Sequence, residues 1–85
     1  MTELQNERPE SYKESLRELH AGRAEHAALL LEPLYETDPN DIEVALHLGG
    51  AYVLMGRYAE AQEILEKSAV LAPDNPNVWV NLGAA

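Results

Sequence analysis

Cysteine and phenylalanine are both absent from this chain of 85 residues, tryptophan occurs once, and only two of the six cations are lysines. Without cysteine there is no disulfide framework, no thiolate nucleophile and no thiolate metal ligand. The shortage of large aromatics leaves packing to small and aliphatic side chains, although an apolar share of 46% is enough for a core. No long apolar run exists either. The longest, "AALLL" at 27–31, falls far short of the about 20 residues that span a bilayer, so membrane insertion is not expected. "MTELQNERPE" lacks the basic start and apolar stretch of a secretory signal, which makes the cytoplasm the expected location.

Positive charge is scarce. Six cations stand against 15 acidic residues, for a formal charge of -9. Phosphate neutralisation by Lys and Arg drives binding to nucleic acids and anionic lipids, so neither is an expected partner. A Lys-poor, acid-rich surface suits a high-salt cytoplasm, where self-repulsion is screened, or simply an ordinary acidic protein. The length allows one domain, expected over 8–85 behind a polar tail at 1–7, of modest stability and too small for a large enclosed active site.

What the chain does contain is a repeat. A shift of 34 residues carries Gly22 onto Gly56, Arg23 onto Arg57, Ala27 onto Ala61, Leu31 onto Leu65, Glu32 onto Glu66 and Pro39 onto Pro73. The same shift carries Leu48 onto Leu82, Gly49 onto Gly83 and Ala51 onto Ala85. Within one period the punctuation predicts two helices. "IEVALHLGGAYVLM" (42–55) follows "DPND", whose Asn40 or Asp41 can cap a first turn. Gly56 supplies a left-handed stop, "RYAEAQEILEKSAVLA" (57–72) forms a second amphipathic segment, and Pro73 ends it. One period earlier the same reading gives helices over about 9–21 and 23–36, with a kink expected at 29–33 because Pro33 removes the amide that would bond the carbonyl of Leu29. A fifth helix covers 77–85. Gly49 and Ala61 are expected where two helices cross, admitting Leu48, Tyr52 and Leu65 between them.

These residues carry a family resemblance. Ala45, Leu48, Gly49, Tyr52, Ala61, Leu65 and Pro73, followed by Trp79, Leu82 and Gly83, resemble the tetratricopeptide repeat, W-x2-L-G-x2-Y, A-x3-F, P over 34 residues. The middle copy departs in having Ala45 for Trp and Leu65 for Phe. The first copy matches at Gly22, Ala27, Leu31 and Pro39 but has Ser11, Glu14, Ser15 and Glu18 in its first helix. Either that helix rotates to present Tyr12, Leu16 and Leu19 as its apolar stripe, or it is a polar cap of the array. The resemblance implies an all-α, right-handed superhelical array of antiparallel helix pairs, an α-solenoid of two repeats (8–41 and 42–75) plus one extra helix (76–85).

It also implies a concave groove lined by the first helix of each repeat. By position this falls on Pro9, Tyr12, Leu16, Leu19 and His20, then Glu43, Leu46, Gly50, Val53 and Leu54, then Asn77, Val80 and Ala84. Those positions lack Lys and Arg, so a carboxylate clamp is not expected, and an apolar or amphipathic segment of a partner protein is the implied occupant. The competing reading makes helix 42–55 the central, largely buried helix. Self-association through Trp79, Val80 and Leu82 is the alternative function.

Catalysis and cofactors are not expected. His20, His26 and His47 form no H-x-x-x-H or H-E-x-x-H pattern. Glu60, Glu63 and Glu66 read as a solvated helix stripe, and "DPNDIE" lacks the glycine and ligand spacing of a calcium loop.

Overall fold

The computed structural model describes residues 8–84, without the side chain of Ala84; the polar tail 1–7 and Ala85 lie outside the described residues. Five helices follow one another with no strand among the described residues: α1 (Glu10–His20), α2 (Ala24–Thr37), α3 (Ile42–Leu54), α4 (Tyr58–Leu71) and α5 (Pro76–Ala84). Hairpin α1/α2 stacks on hairpin α3/α4, α5 packs on α4, and α3 touches all four of the others. The all-α, hairpin-array expectation is met.

The 34-residue register reappears in the backbone. Gly22 and Gly56 hold φ of +82° and +78°, a region that costs a side-chain-bearing residue energy and glycine none. Each glycine amide bonds the carbonyl three residues back (Leu19 and Val53, both 3.0 Å), and each following arginine amide bonds the carbonyl five back (Glu18 and Tyr52, both 2.8 Å). These paired bonds define the Schellman motif, which satisfies carbonyls that a helix end leaves bare. The same stop is therefore built twice, one period apart, and each folds its hairpin back antiparallel.

Asp41 caps α3, its carboxylate accepting from the amide of Val44 at 3.4 Å. Arg8 grips the same carboxylate with two bonds of 2.9 and 2.8 Å. Those guanidinium bonds, followed by opposing partial burial, set the balance that holds the Asp41 carboxyl below its ordinary value. A depressed folded value means the stabilisation is complete above the unfolded carboxyl pKa and is lost as pH falls through the folded one. Asp41→Ala should therefore cost about 1–2 kcal/mol at neutral pH, cap and ion pair together. The gap between the urea midpoints of wild type and variant should narrow in acid below the usual carboxylate range; a gap constant with pH would refute the ion-pair share.

Helix α1 keeps the register of α3. Ser15, the counterpart of Gly49, is fully buried, and its hydroxyl donates to the carbonyl of Tyr12 at 2.6 Å. Glu14 is exposed, and Glu18 is held at the rim by Arg23 and His26. No rotation is needed, because a small residue with a satisfied hydroxyl fits the crossing point. Tyr12 and Leu19 nonetheless pack against the edge of the core. Helix α2 runs uninterrupted through Pro33. Leu29 and Pro33, one turn apart, are both exposed, so the carbonyl that Pro33 leaves without an amide lies on the solvent side, where water can satisfy it.

Candidate functional site

The first helices of the repeats, α1, α3 and α5, carry the expected groove. Pro9, His20, Glu43 and Asn77 are exposed, and Tyr12, Leu16, Leu19, Gly50 and Val53 are half-buried. Leu54 and Val80 each leave 67% of their surface in solvent. A Cβ built on Gly50 would meet nothing within 4 Å, so the surface is open at that point of α3. Leu46 is corrected: it is 6% exposed and belongs to the core. Its helix is flanked by α1 and α5 as well as by α2 and α4, which makes α3 the central helix of the five.

One end of this surface is polar and tied down. The Tyr12 hydroxyl lies 3.2 Å from His47 Nδ1, their rings meeting edge to face at 5.6 Å, and the same nitrogen is 2.8 Å from the carbonyl oxygen of Glu43. Arg8 stacks over the Tyr12 ring at 5.1 Å. The expectation of a groove free of Lys and Arg is thus amended at its edge: Arg8 precedes the first helix, where helical periodicity gives no placement, and folds back onto Asp41 and Tyr12. Burial raises the Tyr12 phenol above its ordinary value more than Arg8 lowers it.

On the opposite side, α2 and α4 leave a cleft of about 470 Å³ that the sequence did not disclose. Glu32, Tyr35, Tyr52, Glu63, Ile64 and Lys67 are among its walls. The Tyr52 hydroxyl donates to Glu32 at 2.6 Å, while Arg57 lies 4.7 Å over the Tyr52 ring and bonds Glu60. Burial first, then the Glu32 carboxylate, push the Tyr52 phenol well above its ordinary value, so it remains a hydrogen-bond donor rather than a base. The pair Glu32 and Tyr52 carried only a packing signal in sequence, through the expected position of Tyr52 between helices.

The exposed side of α5 is the third surface. Trp79 is 53% exposed, with its indole N–H donating to the carbonyl of Pro73 at 2.7 Å; Leu82 is half-buried and Gly83 exposed. Among the described residues no group of three or more His, Cys, Asp or Glu side chains could hold a metal ion, and no described helix is long and apolar enough to cross a membrane.

No curated protein and no solved structure matches the chain. The tetratricopeptide-repeat family model matches residues 18–85, well over half of the sequence. The match begins late in α1, at Glu18, past Ser11, Glu14 and Ser15, three of the four polar positions at which the first copy departs from the repeat pattern. Glycine stops one period apart, small residues at the crossings and the family match agree: the chain belongs to the tetratricopeptide-repeat family.

Proposed function

We propose that this chain, folded as a single domain over 8–85, is a non-catalytic protein-interaction module that takes an apolar or amphipathic segment of a partner protein across α1, α3 and α5. Tetratricopeptide repeats generally mediate protein–protein interaction. The observation that carries the finer reading is the apolar strip itself: Leu54 and Val80 stand two-thirds exposed on the side that holds half-buried Leu16, Leu19, Gly50 and Val53. Protein surfaces present clustered apolar side chains chiefly where something docks. Glu43 at its margin favours an uncharged or weakly basic segment over an acidic one.

The test uses peptides selected from a displayed random library against the whole chain, then titrated calorimetrically. Gly50→Lys places a charged chain in open space and Leu54→Ala removes an exposed anchor. Each should weaken the selected peptides about tenfold or more. Thermal midpoints should stay near that of wild type, since neither change touches the core. Peptides that bind both variants as tightly as wild type would sink the groove reading.

The half-exposed Trp79 favours a second reading, self-association through α5. Of its three residues, Trp79, Val80 and Leu82, Val80 also lines the groove, so the two readings share that side chain.

A further inference from the structure

We infer that the side of the protein away from the α1–α3–α5 surface is a second docking site, a groove between α2 and α4 that takes a partner-protein segment carrying an arginine and, about three positions away, an apolar residue. The cleft of about 470 Å³ at Tyr52 forms one half of it. A hollow of about 550 Å³ adjoins, sharing Tyr35, Glu36 and Lys67 as walls and adding Pro39, Val70 and Leu71. Helices α2 and α4 are not in contact, and Leu48 and Tyr52 of α3 floor the gap at the cleft end. Every wall belongs to α2, α3, α4 or the turn after α2, so α5 takes no part in shaping the groove.

The two halves differ in chemistry. Around the cleft stand the carboxylates of Glu32, Glu36, Glu60 and Glu63, against the single ammonium of Lys67. The protein itself shows what this end accepts, since its own Arg57 lies 4.7 Å over the Tyr52 ring and bonds Glu60, while the ring hydroxyl donates to Glu32. A guanidinium held between an aromatic face and carboxylates is stacked and hydrogen-bonded at once. Glu36 and Glu63 line the same cleft with Tyr35, are exposed, and among the described residues pair with no cation. A partner's arginine completes the set that Arg57 completes for Glu60. The other half is apolar. Val70 is 80% and Leu71 50% exposed, and with Pro39 and Tyr35 they leave a hollow that an aliphatic side chain fills.

Spacing and charge fix the occupant. Glu63, Lys67 and Val70 share one face of α4, and seven residues at about 1.5 Å each put the acidic and apolar ends about 10 Å apart. About three residues of extended chain cover that distance. Nucleic acids and anionic lipids are repelled by these carboxylates and by the formal charge of -9. A basic segment is instead drawn in at long range. Lys67 stands at the junction of the halves, where it repels an arginine from the apolar end and so sets which end receives it.

NMR of the isotope-labelled whole chain, titrated to millimolar concentration with the blocked peptide G-R-A-A-L-G, tests this. Amide shifts should concentrate between Glu32 and Glu36 and between Glu63 and Leu71, saturate, and weaken with added sodium chloride. Citrulline in place of the arginine removes the charge while keeping the shape, and should weaken binding about fivefold, as should alanine in place of the leucine. Glu36→Gln combined with Glu63→Gln should also cost about fivefold, and Lys67→Gln should gain about twofold. These three side chains are exposed, so thermal midpoints should stay near that of wild type. Undiminished binding to the double variant, or no saturation at millimolar peptide, would overturn the site. Shifts confined to α1, α3 and α5 would overturn it too, assigning the peptide to the other surface. Spermidine binding as tightly as the peptide, with the same shifts, would overturn the protein segment in favour of a small polycation.

Discussion

Leu65→Ala should cost about 3–5 kcal/mol, the upper part of the range for truncating a buried leucine. Leu65 is fully buried, and its Cγ and both Cδ atoms lie within 3.3 Å of where a Cβ on Gly49 would stand. Relaxation could lower the cost only if neighbours moved into the space. The nearby core is rich in alanine, with Ala27, Ala45, Ala51 and Ala61 all buried, and an alanine has no side chain to extend into a cavity. Helix backbones brought close by such small residues cannot approach much further. A domain of this size has about 4–13 kcal/mol in total, so the variant should be partly or wholly unfolded without denaturant. Urea denaturation followed by circular dichroism measures the loss. Leu54→Ala, at an exposed site, serves as the control and should stay within about 0.5 kcal/mol of wild type. A loss below about 1.5 kcal/mol at Leu65 would show that the hairpin core is fluid rather than interlocked.

Legibility followed the range of the interactions. The stops at Gly22 and Gly56, the cap at Asp41 and the crossing at Gly49 and Ala61 depend on residues close in sequence or one period apart, so spacing revealed them. Helix ends came within a residue or two for the same reason. Ser15 was harder, since a serine stands where the repeat pattern has glycine. In the structure its size decides, because the carbonyl of Tyr12 in the same helix satisfies the hydroxyl. Leu46 shows the limit of a helical wheel, which gives the side a residue faces but not how closely the flanking helices approach. The Arg8–Asp41 pair joins residues 33 apart with no periodic signal. The α2/α4 cleft arises from the spacing of two helices that are not consecutive, a quantity that no local pattern contains. Of the groove, the exposed residues Leu54 and Val80 were legible from the repeat, whereas the Tyr12–His47–Glu43 cluster at its edge was not.

The adjacent glycines of α3 should respond oppositely to substitution, which separates steric need from chance. Gly50 has open space around its Cβ position, so Gly50→Ala gains helix propensity and reduces unfolded-chain entropy, stabilising by about 0.5–1 kcal/mol. A methyl on Gly49 would stand 2.8 Å from Leu65 Cδ2 and 2.9 Å from Cγ. The terminal methyl could turn aside, but Cγ moves only if the buried chain shifts. Gly49→Ala therefore sets an overpacking cost of about 1–3 kcal/mol against a propensity gain of about 1. Gly49→Val, larger and β-branched, should lose about 3 kcal/mol. Coupling to Leu65 supplies the decisive measurement. In a Leu65→Ala background the clash at Gly49 disappears while the propensity gain remains, so adding Gly49→Ala should now stabilise, a coupling of about 1–3 kcal/mol. Sulfate or trimethylamine N-oxide, which strengthen effective burial, would keep both backgrounds folded enough to compare. Were Gly49→Ala equally destabilising with and without Leu65, the glycine would be required by something other than this contact, and the interlocking of α3 with α4 through one notch and one leucine would have to be abandoned.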